Sequence, residues 1–193
     1  MFEIVKTHRQ QKKFEETWEY ICSRHGWYND PYSDDAVRYN LLMPHTLRFL
    51  KPRVVGTIEF IPYSPNNPFS TVEGPSRANF TSYNDIQKHQ TRTWEIDKLC
   101  IHEQYQRKGH FKGILEIFYN HAITYSPKFY IALMDKKFYR MLKILYGVAI
   151  EQRGDAIYSG KDALLPIVFD VEKVMANEEL INKYLNRKTL TQA

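Results

Sequence analysis

The order of strand-like and helix-like segments predicts an α/β (α+β) fold, a mixed central sheet flanked by helices. Three observations carry that prediction. Apolar residues recur at helical spacing over residues 9–24 and 111–125. The continuous apolar run at 129–134 reads as a buried parallel strand. A third strand-like run, 93–101, leads straight into a short basic turn and then a helix. With 193 residues, 43% hydrophobic and 15% aromatic, the chain can form one domain over 1–193 with a sizeable core, and a disordered chain is excluded.

Each element has its own signal. Residues 2–7 read as a short strand. Residues 9–24 place Phe14, Trp18, Ile21 and Cys22 on one helical face, and Gly26 suits the left-handed residue that ends a helix. Residues 27–35 form a polar, aromatic loop, either a connection or a substrate lid. Strands follow at 37–43 and 54–63, joined by a turn near Pro44-His45 or Lys51-Pro52. Gly56 inside the second of these predicts a bulge or a close backbone approach. Residues 64–91 are long and polar, with prolines at 65, 68 and 75. They are read as an excursion carrying a short helix at 83–88. After the strand at 93–101, the helix at 111–125 turns Ile114, Leu115, Phe118, Ala122 and Ile123 to one side. A helix at 137–146 closes at Gly147, a late strand spans 164–171, and a terminal helix spans 177–185 with Glu178 and Glu179 in its first turn.

The stretch from Trp94 to Leu115 is the most informative. Gln106, Arg107, Lys108 and Gly109 form a basic turn directly before a helix. Free N–H groups and the positive end of the helix dipole make such a turn a seat for a pyrophosphate, as in coenzyme A. The bland alternative is a solvated basic turn. Lys+Arg of 27 against Asp+Glu of 22 gives +5, which suits a small anionic ligand or an acidic carrier protein and disfavours nucleic acid as the main partner. Cys22 and Cys100 lie far apart with no CxxC, arguing against a disulfide framework or zinc site and for a reducing compartment. The first residues lack the plan of a signal peptide, and no run approaches the roughly 18 apolar residues of a membrane span. A cytoplasmic protein without a metal is expected.

The element order and the run from Ile101 to Gly109 together resemble the GCN5-related N-acetyltransferase (GNAT) superfamily. Its turn pattern is Gln/Arg-x-x-Gly-x-Gly/Ala. Here Gln106-Arg107-Lys108-Gly109-His110-Phe111 complies at five of six positions, and Phe111 replaces the second small residue. Trp94-Glu95-Ile96-Asp97-Lys98-Leu99 is similar to the Glu-x-Ser-Arg strand of the acyl-homoserine-lactone synthases, and Met141 to Leu145 with Gly147 to their later helix. His25-Gly26-Trp27, the acidic loop with Asp30, Asp34 and Asp35, and Arg38-Tyr39 resemble their N-terminal region. The related N-acyl amino acid synthases suit the same features. In the lactone synthases an Arg about ten residues before the Trp helps hold S-adenosylmethionine. Thr17 stands there, so that acceptor is not carried over.

The resemblance implies an N-acyltransferase that moves an acetyl or longer acyl group from acyl-CoA (acetyl-CoA) or an acyl carrier protein to a small amine, with no covalent enzyme intermediate. Leu99, Cys100 and Ile101 would pair with the pantetheine amides like an added strand. Gln106, Arg107, Lys108, Gly109, His110, Phe111 and Lys112 would hold the phosphates. Phe111 could narrow that approach or point into the core.

Glu95 is the first candidate for general base, with its pKa raised by burial, and Asp97 is its support. Strand alternation puts these two on one face and Trp94, Ile96 and Lys98 on the other. Tyr139 and Tyr146 are candidates to protonate the leaving thiolate, although Lys143 occupies the usual spacing before the Gly. Trp27, Arg38 and Tyr39 would face the acceptor. Arg38 would either fork onto an acceptor carboxylate or pair with Asp34 or Asp35. His102 reads as structural, and Cys100 as a small buried hydrophobe. Two other functions remain: an autoinducer-type lactone synthase using S-adenosylmethionine, and a non-catalytic module binding acyl-CoA or nucleic acid. Oligomeric state is left open.

Overall fold

The computed structural model describes residues 1–43, 52–74, 76–159 and 162–185. In chain order the elements are β1 (Phe2–Ile4), α1 (His8–His25), β2 (Val37–Met43), β3 (Arg53–Pro62), α2 (Asn84–Lys88), β4 (Thr93–Ile101), α3 (Phe111–Tyr125), β5 (Phe129–Asp135), α4 (Lys136–Tyr146), β6 (Ile150–Gln152), β7 (Ile157–Ser159), β8 (Asp162–Asp170), α5 (Val171–Met175) and α6 (Glu178–Leu185). The strands follow the order β1-β2-β3-β4-β5-β8-β6, with β7 on β8, in one eight-stranded mixed sheet. The turn expected between β2 and β3 lies outside the described residues. No described helix is long and apolar enough to cross a membrane.

The chain divides into two compact units, and β4 passes from one to the other after Glu95. The first comprises Met1–Ile61 and Ile96–Ile123. Helix α1 begins on a capping box: Thr7 Oγ1 accepts from Gln10 N, and Gln10 Oε1 accepts from Thr7 N at 3.0 Å. It ends at Gly26, whose φ of 69° is the left-handed conformation anticipated from the sequence. Its buried residues are the predicted Phe14, Trp18, Ile21 and Cys22. β1 and β3 both flank β2 in antiparallel register.

Gly56 meets both expectations placed on it. The β2–β3 register shifts beside its partner Leu41, and a Cβ on Gly56 would lie 2.4 Å from the Cys100 carbonyl oxygen. Gly113 in α3 is a second close approach, since a Cβ there would lie 2.4 Å from Leu41 Cδ1. The start of α3 is thereby seated directly on β2.

The second unit comprises Pro62–Glu95 and the chain from Thr124 on. β5 pairs in parallel with β4 from Thr93↔Phe129 to Glu95↔Ile131 and antiparallel with β8 along its whole length. β6 and β7 also pair with β8. Asp135 caps α4 by accepting from Lys137 N and Phe138 N. Asp170 caps α5 by accepting from Lys173 N. Tyr63, Val72, Ala78, Phe80, Ile86, Phe129, Ile131 and Val168 form a core cluster. The excursion after β3 carries more order than its predicted helix. It has 3₁₀ turns at Phe80–Ser82 and Gln90–Arg92 and a bridge between Glu73 and Ala78.

Candidate active site

The turn between β4 and α3 opens with a 3₁₀ turn, Glu103–Tyr105, capped by His102 Nδ1 accepting from Gln104 N. Gln106 Nε2 donates back to Ile101 O at 2.9 Å and ties the turn to the strand end. Arg107 and Gly109 then take left-handed φ values of 60° and 81°. Left-handed residues in a turn gather successive N–H groups into an anion-binding concavity. Among the described residues, the N–H groups of Arg107, Lys108, Gly109 and His110 make no well-formed hydrogen bond to a protein acceptor. Lys112 N and Gly113 N are already taken, by Gly109 O and His110 O. Arg107, Lys108 and Gly109 are exposed and His110, Phe111 and Lys112 half-buried, so cation and amide are available together. A Cβ on Gly109 would meet nothing within 4 Å.

Upstream, β4 breaks its own alternation. Lys98 has a φ of 49°, a left-handed residue inside a strand, so its side chain does not oppose that of Asp97 as predicted. Its Nζ lies 2.6 Å from Asp97 Oδ2 and 2.7 Å from Glu59 Oε2. The Lys98 carbonyl is satisfied by Thr57 Oγ1 at 2.7 Å. Because that hydroxyl proton is spent, the Cys100 thiol donates to Thr57 Oγ1, 3.1 Å away. Burial pushes the Cys100 thiol up to about 11, so it is no nucleophile near neutrality.

Arg38 lies 2.6 Å from Glu59 Oε1 and also donates to Ser33 O and Gln11 Oε1. Its carboxylate partner is thus Glu59, not the Asp34 or Asp35 considered from sequence. The cluster Arg38, Lys98, Glu59 and Asp97 balances two cations against two anions. The Lys98 and Glu59 side chains are 0% exposed, and Asp97 reaches the surface at 17%. Burial draws Lys98 down, but Asp97 and Glu59 outweigh it and hold the ammonium above its usual range. Burial pushes Glu59 up against the pull of Lys98 and Arg38. Glu59 accepts from Arg38 through Oε1 and meets the Lys98 ammonium through Oε2 as an ion pair.

Tyr32 roofs the cluster, with Lys98 Nζ 5.1 Å and Arg38 Cζ 5.4 Å from its ring centre. Trp27 is 45% exposed and stacks on His25 at 4.8 Å. Tyr39 is fully buried and donates to Asn120 Oδ1 at 3.4 Å. Glu59 was legible as an acid inside the apolar run of β3. The left-handed backbone that recruits Lys98 left no signal of its own.

In the second unit, Glu95 is 0% exposed. Its Oε2 accepts from Ser70 Oγ at 3.0 Å and from Thr71 N at 3.2 Å. Tyr139 and Tyr146 are half-buried on α4, and Tyr146 packs edge-on against Phe169 at 5.0 Å. Lys143 donates to Ile150 O at 2.6 Å. Among the described residues no group of three or more His, Cys, Asp or Glu is arranged to hold a metal.

No protein-family model matches the sequence, and no curated protein sequence matches it. Solved structures do. FeeM, an N-acyl amino acid synthase from uncultured soil microbes, superposes with a TM-score of 0.59 at 11% identity, over 89% of this chain and 92% of its own. MesI, a CoA-dependent acyl-homoserine lactone synthase, gives 0.56 at 12% identity over 97% and 96%. The AHL synthase LasI gives 0.59 at 7% identity over 89% of each chain. The fold is the GNAT acyltransferase fold. At these identities the likeness speaks for architecture and not for substrate.

Proposed function

We propose that this chain is an N-acyltransferase that takes an acyl group from a coenzyme A thioester and passes it to the amine of a small acceptor. The observation that carries this reading is the run of four N–H groups from Arg107 to His110 before α3 that make no well-formed hydrogen bond among the described residues, flanked by Arg107, Lys108 and Lys112. Several amides in one turn suit a pyrophosphate better than the single phosphodiester of a carrier protein's phosphopantetheine. The CoA dependence stated for MesI agrees with this choice.

One strand would then serve both reactants. The backbone of Leu99, Cys100 and Ile101 would carry the pantetheine arm, and Glu95 and Asp97 on the same strand would serve the amine. Glu95 would be the base that takes the ammonium proton, as the sequence resemblance implies, and Asp97 the carboxylate that supports it. The free amine would attack the thioester carbonyl, and collapse of the tetrahedral intermediate would break the C–S bond. The thiolate would take a proton from Tyr139 or Tyr146, and the second proton leaving the nitrogen as the amide forms would pass through solvent to restore that tyrosine. Arg38 would act by holding Glu59 rather than by meeting the acceptor directly. The lactone-synthase alternative draws no added support from Thr17, whose hydroxyl donates to Lys13 O inside α1.

The test is thioester consumption with acetyl-CoA and longer acyl-CoAs across a panel of amines and amino acids, with acyl carrier protein as a parallel donor. Glu95→Gln should lower kcat by about 10²–10⁴. Gly109→Leu should weaken CoA binding at least tenfold, since its side chain would enter the open space before the amides. Unaltered CoA affinity in Gly109→Leu would remove the phosphate seat.

A further inference from the structure

We propose that Ser70 is a positioning residue for Glu95: its hydroxyl and the Thr71 amide anchor Oε2, so that the carboxylate takes its proton on Oε1. The proposal rests on Glu95 being the base and names the device that orients it. A serine hydroxyl has one proton to give and two lone pairs. Glu73 N donates to Ser70 Oγ at 3.0 Å and Val72 N does so at 3.4 Å. With N–H groups aimed at its lone pairs, the hydroxyl must direct its single proton elsewhere, and Glu95 Oε2 lies 3.0 Å away. Thr71 N adds a second donor to the same oxygen. Oε2 is therefore saturated by donors, and protonation falls on Oε1.

The segment that delivers Ser70 is braced by its own contacts. The Glu73 carboxylate accepts from Phe80 N at 2.8 Å and Tyr63 OH at 3.0 Å. Arg77 donates to the Ser70 carbonyl, and Ser70 N donates to Asn67 O. Ser70 itself is only 7% exposed. The polar excursion after β3, a mere connection by its composition, acts here as a strap that aims one hydroxyl at one carboxylate.

The test needs no knowledge of the acceptor. In intact protein with ¹³C-labelled glutamate, the Glu95 carboxyl carbon is assigned by its loss in Glu95→Gln and titrated by NMR. A donor to the charged form lowers a carboxyl's pKa, so Ser70→Ala should raise the Glu95 midpoint by about one pH unit, and Ser70→Thr should return it. Ser70→Cys keeps the volume with a weaker donor and should shift it the same way by less, which covers the case that the alanine variant does not fold. With any amine found to turn over, the acid limb of kcat/KM should move with the midpoint. An unmoved midpoint in Ser70→Ala or Ser70→Cys overturns the role of Ser70 while leaving the base in place. Full turnover by Glu95→Gln overturns the base reading, and this proposal with it.

Discussion

Lys98 shows how much one residue's conformation decides. A left-handed φ in a strand costs a non-glycine residue on the order of 1–3 kcal/mol. Here it turns the ammonium toward both Asp97 and Glu59 and frees a carbonyl that Thr57 satisfies. Desolvating such ions offsets much of their attraction, so the cluster adds little net stability while intact but cannot lose one member cheaply. Lys98→Met should lower unfolding free energy in urea by about 3–5 kcal/mol, because Glu59 would keep only Arg38 and Asp97 would lose the ammonium it pairs with. Adding Glu59→Gln restores charge balance and should recover a large part of the loss. A single variant as stable as the parent would mean the charges are solvated. Because Lys98 is held above its usual range, its stabilising share is complete below about pH 10.5 and is lost as pH rises through the folded value.

At the scale of elements, the strand and helix that flank the turn, β4 and α3, have the bounds read from the sequence. A regular pattern over 9 and 15 residues carries its own signal. The three-residue strands β6 and β7 and the five-residue α5 have no such signal in the sequence. They are too short for a period, and the two strands exist through pairing with β8. Thr7-x-x-Gln10 encodes the capping box of α1, which starts the helix at His8, one residue before the start that apolar spacing predicts.

Gly113 was also unmarked, because what makes it necessary is Leu41, 72 positions earlier in the chain. Gly113→Ala should destabilise the protein by about 1–3 kcal/mol through overpacking and weaken the proposed CoA binding by displacing the start of α3. Pairing it with Leu41→Val should recover both in denaturation and binding measurements. Retained stability in the single variant would show that Leu41 moves freely.

Over the whole molecule, the acid limit of stability should carry the mark of His121. It is 0% exposed, its ring stacks on Phe60 at 3.9 Å, and burial pushes its pKa down to about 3. A base whose folded pKa is depressed stabilises above its unfolded value and loses that share as pH falls. The window therefore runs from about 6.5 down to about 3, with a slope approaching ~1.4 kcal/mol per pH unit. Urea midpoints at pH 7 and pH 4 should converge in His121→Phe relative to the parent. An unchanged pH slope in that variant would assign the acid sensitivity to other groups.

The sequence by itself determined the alternation of strands and helices, the core face of α1, the basic turn at 106–109, and a fold that the solved structures share. These follow from periodicity and turn chemistry, which neighbours along the chain encode. Tertiary structure alone decided which acid holds Arg38, which side of β4 Lys98 serves, and what grips Glu95. Those contacts join residues 21, 39 and 25 positions apart. A residue's type names the partners it can take, but only the packed backbone brings one of them within hydrogen-bond reach.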